Sequence, residues 1–200
     1  MTYRVIGSVQ SRTLRVLWML EEMGIAYDHI PALPHAADVV QFNPAGKVPP
    51  VLVSDGVPIS DSVAIMTYLG DAHGQFTFAS GTIERARQDS LKQFIIDEFD
   101  QILWMAARHS FILPEDQRMP AIKDSLKWEF ERNQRALIPR MAEDGPYLMG
   151  VGMTIPDILL AHCGFWAGIA KFPIVEPRFA DFLAMMRARP ALHRAMAAAH

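Results

Sequence analysis

The amino-acid sequence predicts an α/β half followed by an all-α half, with the first half in the order βαβ then ββα. Three observations carry that prediction. Up to about residue 72, short β-branched or aromatic runs alternate with a helical pattern and are cut by glycine and proline. Residues 73–80 are polar and glycine-bearing, as a linker would be. Beyond them no run reads as a convincing strand, and apolar residues recur at helical spacing. The expected domains are therefore 1–72 and 81–200, joined by 73–80.

Tyr3-Arg4-Val5-Ile6 reads as a strand ended by Gly7-Ser8. From Ser11 to Met23 the pattern is helical, with Leu14, Leu17, Trp18 and Leu20 apolar, and Gly24 stops it. Tyr27-Asp28-His29-Ile30 is a second strand closed by Pro31. Residues 32–45 read as irregular, with Pro34 and Pro44 as breakers. Residues 50–54 and 57–59 read as two strands around an Asp55-Gly56 turn. Ser60-Asp61-Ser62 caps a helix reaching about Leu69. This order is thioredoxin-like: a small mixed sheet with helices on its faces. In the second half, helices are expected from Thr82 to about His109, Ala121 to about Met141 with a break near Pro139, Pro156 to about Lys171, Arg178 to Arg187, and from Pro190 onward.

The 200 residues are 50% apolar and 20% charged, enough to bury a core. A net charge of −3 and no dense Lys/Arg cluster argue against nucleic acid as a partner. One cysteine, Cys163, excludes an internal disulfide framework and a cysteine-based zinc cluster, and fits a reducing compartment such as the cytoplasm. His109, His162 and Cys163 make no metal-ligand pattern, so no metal is expected. The longest nearly apolar run, Ile158 to Ala170, is shorter than the ~20 residues that span a bilayer, so no membrane association is expected.

Four stretches share one resemblance. They are Ser11 to Tyr27, Asn43-Pro44-Ala45-Gly46-Lys47-Val48-Pro49, Ile59 to Ile65 running on to Tyr68-Leu69, and Thr154-Ile155-Pro156-Asp157. In this order and spacing the chain resembles a soluble bacterial glutathione S-transferase of the serine type. The resemblance implies glutathione as co-substrate, a small apolar electrophile as second substrate, and a homodimer. It implies a catalytic Ser11, a cis Val48–Pro49 bond whose Val48 backbone pairs with the cysteinyl part of glutathione, and a γ-glutamyl site at Asp61 and Ser62. Lys47 is a candidate for the glycine carboxylate, and Thr154 with Asp157 a structural capping box. Trp104, Arg108, Phe111 and Trp166 are candidates for the electrophile pocket.

The chemistry suits these residue types. A thiol attacks only as the thiolate, and one with a pKa near 8.5 is roughly 3% ionised at neutral pH. Lowering that pKa by two units takes about 2.7 kcal/mol of preference for the thiolate. A hydroxyl donor at the positive end of a helix is suited to supply it, and Ser11 offers both. Ser8 is the rival donor, whereas Tyr3 lies at the wrong end of its strand. No cysteine occupies this loop, which separates the chain from thiol-exchanging relatives and from the Ser-Ser-Cys signature of maleylacetoacetate isomerases. A glutathione-dependent isomerase, dehalogenase or peroxidase, or a non-catalytic binding module, remains open on the same scaffold.

Overall fold

A computed structural model describes residues 3–53 and 56–198. The chain divides into two compact units, residues 1–77 with 188–200, and residues 78–187.

The first unit is built on a four-stranded sheet of order β2-β1-β3-β4. β1 (Tyr3–Ile6) pairs in parallel with β2 (Tyr27–Ile30), and antiparallel with β3 (Pro50–Leu52). β3 in turn pairs antiparallel with β4 (Pro58–Ser60). β3 is shorter than the expected 50–54, and β4 is shifted by one residue from the expected 57–59. Of the Asp55-Gly56 turn, Asp55 lies outside the described residues, and Gly56 has φ +79°. α1 (Thr13–Met23) starts two residues after Ser11. Five consecutive residues, Val16 to Leu20, are fully buried, because α1 is covered on more than one side. Gly24, at φ +67°, ends it, and Ile25 N–H reaches back to the Leu20 carbonyl at 3.0 Å. α2 (Ala37–Val40) is a single turn within the stretch expected to be irregular. Its Val39 seals a cluster with Ile6 and Leu52, against which Ile30, Phe42 and Val48 pack. α3 (Ser62–His73) runs past the expected Leu69 to Gly74.

The last helix of the chain, α9 (Pro190–Ala197), belongs to this unit and packs on α1. That corrects the expected 81–200 domain. The reason is charge. Arg189 forms a two-pronged ion pair with Glu22, its Nη2 2.7 Å from Oε2, and Arg194 Nε lies 2.7 Å from Glu21 Oε2. Trp18 Nε1–H donates to Glu22 and Tyr27 O–H to Glu21, both at 2.9 Å. Burial and the adjoining Glu21 hold the Tyr27 hydroxyl well above its ordinary pKa.

The second unit is helical. α4 (Ile83–Ile95) and α5 (Gln101–Ala107) form one continuous rod through a π-helical turn at Ile96–Asp100, and a second π-helical turn, Arg108–Ile112, extends it. α6 (Ile122–Leu137) passes into a 3-10 turn at Ile138–Arg140, where Pro139 removes a donor. α7 (Ile155–Ala170) and α8 (Pro177–Arg187) follow. The core is an edge-to-face chain of rings: Phe172 to Phe130 at 5.5 Å, Phe130 to Phe99 at 5.2 Å, and Phe99 to Phe179 at 5.9 Å. Beyond residue 80, the only strand-like pairing among the described residues is an isolated bridge between Tyr147 and Gly150. Among the described residues no helix is long and apolar enough to cross a membrane.

Candidate functional site

Three segments of the first unit meet around Gly7. At φ +142°, it is placed so that a Cβ would lie 2.2 Å from Thr13 Oγ1 and 3.0 Å from Val48 Cβ. Only glycine lets the loop after β1, the start of α1 and the stretch before β3 come this close. A second tether links α1 to α3: Arg15, fully buried, points Nη1 at Ser62 Oγ, 3.4 Å away. Ser11, Val48 and Ser62, chosen from distant parts of the sequence, therefore lie on segments held to one another.

Ser11 sits half-buried in a serine turn. Its Oγ accepts from Thr13 N–H at 3.2 Å, donates toward the Ser8 carbonyl at 2.7 Å and lies 2.8 Å from Thr13 Oγ1. The rival Ser8 uses its Oγ to accept from Gln10 N–H at 3.1 Å. Tyr3 is fully buried, its hydroxyl 2.7 Å from His73 Nε2 at the other end of β1 from Gly7. Burial, then the neighbouring Tyr68, raises its pKa.

The Val48–Pro49 peptide bond is cis. Val48 precedes the first residue of β3, and its backbone N–H and C=O have no hydrogen-bond partner among the described residues. The loop leading to it is fastened on both sides. Asn43 Nδ2 donates to the Lys47 carbonyl at 2.8 Å, and His35 N–H donates to the Gly46 carbonyl at 2.8 Å. The Lys47 side chain is exposed. Pro49 is buried beside it.

Asp61 caps α3 from a left-handed backbone, φ +77°. Such a conformation costs a non-glycine residue about 1–3 kcal/mol. Its Oδ1 accepts from Val63 N–H at 2.9 Å and Ala64 N–H at 3.1 Å, and the carboxylate is exposed. Ser62 beside it is 3% exposed. The Ser62 amide and hydroxyl, beside a buried guanidinium, suit a carboxylate ligand, and the Asp61 carboxylate suits an ammonium group. Sequence reasoning missed two contributors, Thr13 and Arg15. The two-residue spacing of Ser11 and Thr13 was the available signal for the first; nothing local marked the second.

The residues expected to line an electrophile pocket belong to the second unit. Trp104 and Arg108 are half-buried and four residues apart where α5 passes into the second π-helical turn. Phe111, in that turn, is 64% exposed. Trp166, on α7, meets the edge of His162 with ring centres 6.4 Å apart. Thr154 and Asp157 open α7. Asp157 accepts from Thr154 N–H at 2.7 Å, from Thr154 Oγ1–H at 2.8 Å and from Leu148 N–H at 2.8 Å. Among the described residues no three His, Cys, Asp or Glu side chains gather as a metal site would require.

A family profile described as "Glutathione S-transferase, N-terminal domain" matches residues 11–72. Glutathione S-transferase GstA of Escherichia coli O157:H7 is 27% identical over 169 residues, 83% of this chain and 80% of that one. The crystal structure of a glutathione transferase from Methylococcus capsulatus str. bath aligns with a TM-score of 0.85 at 25% identity, covering 98% of both chains. A glutathione transferase homolog from Lodderomyces elongisporus, solved with two GSH per subunit, aligns with a TM-score of 0.84 over 98% of both chains. At 18% identity that second likeness is one of fold.

Proposed function

Since the chain is a glutathione S-transferase-like protein, we propose that it is a homodimeric glutathione transferase joining the sulfur of glutathione to small apolar electrophiles. The observation that carries this reading is the unpartnered backbone of Val48, held beside the Ser11 turn by Gly7. An extended peptide adds to such a backbone as an extra strand. With its cysteinyl residue paired to Val48, its γ-glutamyl carboxylate meets the Ser62 amide and hydroxyl, and its ammonium meets Asp61. Lys47 reaches for the glycine carboxylate at the other end.

Ser11 then donates its proton's hydrogen bond to the sulfur at the positive end of α1, which favours the thiolate. The thiolate attacks the electrophile, the C–S bond forming as a leaving group such as halide departs. No metal takes part in this reading, and the cytoplasm supplies reduced glutathione. Retention on immobilised glutathione together with conjugation of a generic aryl halide tests it. Both are expected. Retention without turnover would make the protein a binder, and failure of both would remove glutathione from its function. The mass in solution, read by light scattering, tests the dimer.

A further inference from the structure

The hydrogen-bond arithmetic at Ser11 identifies a second hydroxyl in the site. Ser11 Oγ has three neighbours within bonding distance: the Ser8 carbonyl at 2.7 Å, Thr13 Oγ1 at 2.8 Å and Thr13 N at 3.2 Å. A serine hydroxyl donates once and accepts twice. The Ser8 carbonyl can only accept, so at 2.7 Å it takes the Ser11 proton. The Thr13 amide can only donate, and fills one lone pair. One role is left for the Thr13 hydroxyl, which is to donate into the second lone pair. Thr13 is fully buried, so its hydroxyl touches no substrate. It occupies space that exists because residue 7 has no side chain, since a Cβ there would lie 2.2 Å from Thr13 Oγ1.

We propose that Thr13 is a positioning residue that acts through Ser11, holding its oxygen and strengthening it as a donor to the thiolate. This rests on the reading of Ser11 as the thiolate's partner. In the resting arrangement the Ser11 proton faces the Ser8 carbonyl. An incoming sulfur must draw it away by rotation about the Cβ–Oγ bond. The turn carries the lone pairs with it, so the longer contact, from Thr13 N–H at 3.2 Å, gives way while the Thr13 hydroxyl, 2.8 Å away, stays on the oxygen as its proton changes acceptor. Donation from Thr13 also polarises the Ser11 O–H, by about 10–30% of the bond's strength on condensed-phase estimates of such chains.

The test is an ultraviolet titration of the thiolate in the enzyme–glutathione complex, with the pH profile of kcat/KM for an aryl halide beside it. Thr13→Val keeps the shape and removes the hydroxyl. It is expected to raise the apparent thiol pKa by about half a unit to one unit, equivalent to a three- to tenfold loss of thiolate below that pKa. Thr13→Ser is expected to restore the wild-type profile. In a Ser11→Ala background, Thr13→Val is expected to add no shift. The same three comparisons made with Thr13→Ala decide the matter if the valine variant does not fold. A thiol pKa unchanged by loss of the hydroxyl, or equal shifts in the valine and serine variants, overturns the proposal while leaving Ser11 in place. A pKa unchanged by Ser11→Ala alone overturns both this proposal and the role given to Ser11.

Discussion

Two helix starts in this protein use an aspartate, and they are built in opposite ways. Asp157, at the start of α7, is fully buried, and its two oxygens meet donors from Thr154 and Leu148. Asp61, at the start of α3, is exposed, holds a left-handed backbone and uses one oxygen, Oδ1, for both of its capping bonds. The first arrangement is closed upon itself and serves the core of the second unit. The second keeps strain and an open oxygen, as a site that awaits a ligand does. Asp157 stands at the third position inside its helix and Asp61 at the N-cap, so one has its partners already present and the other keeps an oxygen facing solvent.

The comparison breaks most visibly at Asp157. Asp157→Ala strands three buried donors and is expected to cost about 3 kcal/mol or more, read from denaturant unfolding. Burial also lifts this carboxyl from 3.8 to about 6, against the donors that favour its charged form. Between those values the folded protein holds a proton that the unfolded chain has released. The stability this group contributes is therefore whole below 3.8 and lost as pH rises through about 6. Over that window the wild type should lose stability relative to Asp157→Asn, and parallel curves would show that the carboxyl does not titrate there. Next in size, Ser11→Ala should lower turnover at neutral pH by about 25-fold, since a thiol pKa raised by two units to about 8.5 leaves roughly 3% thiolate, with glutathione still bound. Pre-steady-state kinetics with separate binding titrations would read both. Asp61→Gly should weaken glutathione about tenfold by calorimetry, yet change stability by less than about 1 kcal/mol, since the lost cap is offset by relief of the backbone. A stability loss as large as that at Asp157 would erase the distinction between the two starts. Smallest, Arg189→Ala should cost about 1 kcal/mol through the pair with Glu22.

Local chemistry made much of this legible. Proline, glycine and cap residues marked β1, α1, β2 and α7 to within a residue or two. The α2 turn was hidden because four residues are too short for a helical period, and Pro34 and Pro44 dominate their surroundings. The two π-helical turns were hidden for a different reason. Leu91, Phe99, Ile102 and Leu103 keep a helical pattern, while the extra residue in a turn is set by packing. At the candidate site, Ser11, Val48, Asp61 and Ser62 could be named from the sequence because each stands at an element boundary. Arg15 lies inside a helical pattern, where only the fold reveals that it faces Ser62. α9 was assigned to the wrong unit because its arginines answer glutamates more than 160 positions earlier in the chain.

That last helix has a covalent consequence. The sheet-bearing unit is split in sequence, with the helical unit, residues 78–187, inserted into it. A fragment ending at residue 77 would leave Glu21 and Glu22 without their arginines and uncover one flank of the helix that follows the Ser11 turn. Such a piece should be made with residues 188–200 supplied as a separate peptide, and the peptide's capture would report directly on how firmly α1 is held.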